Sequence, residues 1–115
     1  MPLSSGQTVA VEVDDEHRAR EMRQLGLMAE RLDSFASGDI YIAQAISDLE
    51  GLLYALELTS DGWKDEFREE WGELEIAYAV ALDRREPVPD ASEPRIRDAV
   101  TAMRRLVDER LAESA

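Results

Sequence analysis

The sequence predicts an all-α protein, an antiparallel bundle of about four helices in a single domain over residues 14–115. Three observations carry that prediction. Apolar side chains recur at steps of three and four in four separate stretches, which places each set on one helical stripe. Short segments rich in Gly, Pro, Ser and Asp separate the stretches, and these residues start and stop helices. Alternating apolar–polar strand patterns are absent from the stretches themselves. Short connections between amphipathic helices then imply antiparallel neighbours.

Residues 1–13 read as a flexible N-terminal tail. Thr8 to Val13 alternate weakly, but a lone strand has nothing to pair with. The first helix is expected from Asp14 or Asp15 to about Ala36, with acids in its first turn suiting the helix dipole. Its stripe is Met22, Leu25, Met28, Ala29, Leu32 and Phe35, and Gly38 is its stop. Asp39 is then placed to cap a second helix over roughly 40–58, with Ile42, Ile46, Leu49, Leu53 and Leu56 on its stripe. The third helix, about 61–86, has the strongest pattern: Trp63, Phe67, Trp71, Leu74, Tyr78 and Ala81. Pro87-Val88-Pro89 ends it. Asp90 to Glu93 resembles a capping box for a fourth helix, about 93–113, bearing Ile96, Val100, Met103, Leu106, Val107 and Leu111.

Composition narrows the function classes. The 115 residues carry 26 acids against 13 Lys and Arg, a formal net charge of −13. With no cysteine there is no disulfide framework, thiolate metal site or thiol nucleophile. His17 is the one histidine and sits among charged residues. Neither a membrane span nor a secretory signal is recognisable, so a cytoplasmic location is expected. Direct binding to nucleic acid is disfavoured, because phosphate would be repelled.

The charge is uneven. Residues 39–75 hold eleven acids against only Lys64 and Arg68, a net −9, whereas residues 15–31 and 84–115 each balance to zero. The second and third helices therefore form an acidic half. A solvated face that keeps the protein soluble is the bland explanation. Clustered like charge also costs stability through self-repulsion, which points towards a basic partner. On the third helix, the side opposite the aromatic stripe shows Asp65, Glu69, Gly72, Ile76, Val80 and Asp83, with Glu73 beside them. Ile76 and Val80 either pack under the N-terminal tail or another helix, or form an apolar centre with an acidic rim, as at a binding surface. Gly72 suits either tight helix packing or the close approach of a partner.

Enzymatic chemistry finds no support in the motifs. Carboxylate pairs at helical spacing abound, such as Asp61/Asp65 and Glu66/Glu70, but the Glu-x-x-His of a di-iron bundle is missing. No phosphate-cradling glycine loop or nucleophile elbow occurs. No catalytic residue, metal ligand or cofactor is expected. The acidic face could hold a divalent cation only loosely and without specificity.

The stretch from Arg31 to Arg84 carries Leu32-Asp-Ser-Phe35, Gly38-Asp-Ile40, Asp48-Leu-Glu50, Leu53, Trp71, Leu74-Glu75 and Tyr78-Ala79. In this it resembles small, acidic, all-helical bacterial immunity proteins of the colicin and contact-dependent-inhibition type. About half the chain is covered. The resemblance implies a protein that binds a toxin domain, often a basic nuclease, and blocks its active site with carboxylates. It assigns no individual binding residue. Twelve of the thirteen bases are arginine, as expected of a GC-rich bacterial or phage genome.

The expected function is thus an acidic helical binding protein that neutralises a basic partner: a toxin, or another nucleic-acid-binding protein met by nucleic-acid mimicry. The candidate partner-binding residues are Asp61, Asp65, Glu69, Glu73 and Ile76 on the third helix, with Asp48 and Glu50 on the second. The alternative is a structural or self-associating bundle, such as a homodimer burying Ile76 and Val80 across a two-fold axis.

Overall fold

Four helices follow one another along the chain: α1 Pro2–Ala36, α2 Ile42–Tyr54, α3 Asp61–Arg84 and α4 Pro94–Ser114. They come from a computed structural model that describes residues 2–114, with side chains from residue 15 to residue 113. α1 begins well before the expected start at Asp14 or Asp15. The expected flexibility of residues 1–13 falls on side chains outside the described residues.

Each helix packs on its two chain neighbours, and α4 closes the ring against α1. No close backbone approach crosses the diagonals α1–α3 or α2–α4 among the described residues. The result is the expected all-α bundle, with adjacent helices antiparallel. Its core is one cluster. It takes Leu25, Met28, Leu32 and Phe35 from α1 and Ile42, Ala45, Leu49 and Leu53 from α2. Phe67, Trp71 and Leu74 come from α3, and Ile96, Met103 and Val107 from α4. Two indoles tie α3 to its neighbours. Trp71 Nε1 donates to the Ile46 carbonyl of α2 at 3.0 Å, and Trp63 Nε1 donates to the Leu106 carbonyl of α4 at 3.1 Å. Trp63 also stacks on Phe67, with ring centroids 5.3 Å apart.

The helix ends show where local chemistry prevailed. Gly38 takes φ +85°, and Asp39 N–H reaches back to the Ser34 carbonyl at 2.8 Å while Gly38 N–H bonds Phe35. That is a Schellman stop, as the glycine predicted. Asp39 does not cap α2: its carboxylate accepts from the Ser37 hydroxyl, and Tyr41 stands at the cap position without a side-chain bond. The capping box at Asp90 does not form either. Asp90 accepts from the Ser92 N–H and hydroxyl in a local turn, and α4 starts at Pro94. Those turn bonds hold its carboxyl below the usual range. In both cases a nearer partner captured the carboxylate before a helix N–H could. Ser60 caps α3 through Trp63 N–H.

Candidate functional site

The outer face of α3 is set first by the end of the helix. There the α2–α3 loop is held by Glu21, a carboxylate only 3% exposed. Its Oε1 accepts from Glu57 N–H at 2.6 Å and Leu58 N–H at 3.0 Å; its Oε2 accepts from Leu58 N–H at 2.9 Å and the Thr59 hydroxyl at 2.8 Å. Arg110 of α4 lies 4.0 Å from the same carboxylate and donates from Nε to the Thr59 hydroxyl. Burial alone would raise the Glu21 pKa. The bonds from Leu58, Thr59 and Glu57, with the charge of Arg110, outweigh it and leave the group below its ordinary 4.5. Two helices and the α2–α3 loop thus meet at one acid that the sequence reading passed over. Its signal was present: Glu21 lies four residues before Leu25 and seven before Met28, on the buried stripe itself, whereas Met22 is only half-buried.

From that end α3 presents its acids outward in a graded way. Asp61, Asp65 and Glu69 are exposed at four-residue intervals, so they line one side. Ile76 continues that side and is 54% exposed. Val80, one turn on, is 38% exposed. Among the described residues no helix covers these two, so packing under another helix is not what the bundle does; packing under the N-terminal tail concerns side chains outside the described residues. A Cβ added at Gly72 meets nothing within 4 Å, so this glycine serves no tight helix contact.

The remaining candidates are dispersed. Glu73 turns towards α4, where Arg95 Nε donates to it at 2.5 Å. This pairing raises the arginine's pKa. Asp48 faces α1 and lies 3.9 Å from Arg31. Glu50 is exposed on the opposite, α3-facing flank of α2, since Ile46 one turn earlier meets Trp71. Asp48 and Glu50 therefore do not share a surface. The two bases of the acidic half are engaged within it. Lys64 Nζ donates to the Leu56 carbonyl at 2.6 Å, and Arg68 pairs with Asp65 at 3.3 Å. Glu66, Glu69 and Glu70 make no ion pair among the described residues.

At its far end α3 borders one cavity, and the α3–α4 loop that follows it borders a second. One, of about 350 Å³, is lined by Ile76, Ala77, Val80, Pro87, Pro89, Glu86, Glu93 and Arg95, among others. The second, of about 430 Å³, lies beyond the shared wall of Pro89, between the α1–α2 and α3–α4 loops. Among the described residues no three acids or histidines gather as a metal cluster, and no helix is long and apolar enough to cross a membrane. Comparison with protein-family models, curated proteins and solved structures finds no match to this chain.

Proposed function

We propose that this chain is a cytoplasmic inhibitory binding protein, of the immunity type, whose α3 face docks on a basic protein and neutralises it. The observation that supports this reading is the outward line Asp61–Asp65–Glu69–Ile76. Carboxylates on a rigid helix stand at regular intervals, next to an uncovered β-branched side chain and an open glycine. A basic nuclease surface evolved to hold spaced phosphates would meet such a line as it meets a nucleic-acid backbone. Glu50 flanks the line from α2. Glu73 belongs to it only if a partner's base displaces Arg95. Asp48 stands apart.

The test is affinity capture from source-organism lysate, comparing the native chain with an Asp65→Lys/Glu69→Lys variant at about 0.1 M and about 0.5 M salt. The expected result is one basic protein, depleted by the variant and by salt, with helicity by circular dichroism unchanged. Equal recovery by both chains would overturn the reading. Recovery of only a second copy, insensitive to salt, would favour the self-associating bundle, the reading to which exposed Ile76 and Val80 lend support.

A further inference from the structure

The corner where α3 passes into α4 carries more than an acidic line. Its apolar side chains are unusually open for a chain this polar: Ile76 54%, Val80 38%, Val88 48% and, across Pro89, Tyr41 84% exposed. They border two cavities that share Pro89 as a wall; the pair is termed the Pro89 groove, and each cavity a step of it. Phe35, Ile40 and Ala91 line the second step, and Ala77 and Pro87 the first.

The charge around this groove is one-sided. Among the described residues Arg95 is the only base lining either step; Glu73 holds it, and the charge of Glu93 acts on it more weakly. Glu86 and Glu93 line the first step and have no ion pair among the described residues. Asp90 lines the second, with one carboxylate oxygen engaged by Ser92. Arg84 and Arg85 line neither. An apolar floor with net negative walls fits a segment that brings apolar anchors and bases together.

From this geometry we infer that the Pro89 groove docks a cationic amphipathic segment of the partner protein, seating one apolar side chain on each side of Pro89 while Lys or Arg side chains meet Glu86 and Glu93. The inference rests on the proposed inhibitory reading and adds a second, apolar contact beyond the α3 acid line. A Leu-size side chain entering such a cavity is worth about tenfold or more in affinity. The groove therefore sets which basic segment is held, whereas the acid line sets attraction at distance.

A synthetic helical peptide of alternating Leu and Lys clusters serves as the probe, alongside the same peptide with Ser for Leu and with Glu for Lys. Binding to the full chain is followed by amide NMR shifts. The Leu/Lys peptide is expected to shift Ala77, Val80, Glu86, Val88 and Ala91, and to bind about tenfold or more tightly than its Ser counterpart. A Val80→Asp variant, on an exposed position of the first step, should lower that ratio severalfold without loss of helicity, the second step keeping the remainder. A Glu86→Gln/Glu93→Gln variant should bind the Lys and Glu peptides more equally. Shifts confined to Asp61–Glu69 would overturn the groove and leave the acid line standing. A Leu/Ser ratio near one in the native chain, or equal binding of the Glu peptide, would also overturn it. Concentration-dependent shifts of the same residues in the free protein would assign the groove to a second copy and overturn it likewise. Once a partner is captured, Val80→Asp and Asp65→Lys/Glu69→Lys report separately: loss by the second alone refutes the groove but keeps the proposed function.

Discussion

Glu21 shows how one acid can hold a loop against two helices. Its two oxygens satisfy two loop N–H groups and the hydroxyl of buried Thr59. Replacing it with alanine leaves those donors without their acceptor, and we expect a loss of about 3 kcal/mol in urea unfolding. Glu21→Gln keeps one acceptor and should cost less. The pH dependence has a definite sign. A carboxyl whose folded pKa lies below its unfolded value stabilises the fold above that unfolded value, and the contribution fades as pH falls through the folded one. Native protein should therefore lose this increment below about pH 4.5, and Glu21→Gln should flatten that part of the curve. This residue escaped the sequence reading because a charged side chain on an apolar stripe looks like the stripe's edge. Only the fold brings residues 57–59 against it.

At the scale of the helix, α3 and its stops offer contrasting substitutions. Gly72 has open space around its missing Cβ, so Gly72→Ala should raise stability by roughly 0.5–1 kcal/mol through the backbone entropy of the unfolded chain. If partner affinity falls while stability rises, the glycine is kept for the partner's approach. Gly38→Ala should have the opposite sign, costing about 1 kcal/mol, because φ +85° crowds a Cβ. Arg85 ends α3 in the same left-handed conformation without being glycine, at φ 55°. Arg85→Gly should relieve that crowding and gain roughly 0.5 kcal/mol net of the looser unfolded chain. Thermal melts of the three variants check the signs. The helices themselves were legible from spacing, and α3 and α4 most closely. The N-caps were not, because Asp39 and Asp90 had local hydroxyl or amide partners that compete on equal terms with a helix terminus.

Over the whole molecule, a net charge of −13 acts against the packing that the core provides. Raising ionic strength from about 0.01 M to about 0.15 M should increase the melting temperature, since repulsion among α2 and α3 acids is screened while core contacts are untouched. A melting temperature indifferent to salt would mean that pairs such as Arg104 with Asp33 and Asp108 already balance the surface. The all-α architecture followed from sequence because each helix writes its own stripe. The candidate site was legible only in part. Periodicity placed Asp61, Asp65, Glu69 and Ile76 together, but which helix flanks which side is a property of the ring. That arrangement gave Asp48 to Arg31 and Glu73 to Arg95, whereas the two-residue spacing of Asp48 and Glu50 already parts them on one helix.

The two indoles of α3 make the bundle its own spectrometer. Trp71 touches only the α2 seam with its N–H and Trp63 only the α4 seam. The sequence has no third tryptophan to blur them. In a Trp63→Phe chain the remaining emission follows the opening of α3 from α2; in a Trp71→Phe chain it follows α3 from α4. Comparing their stopped-flow traces on dilution into denaturant would time the two seams separately and show which side of the ring gives way first.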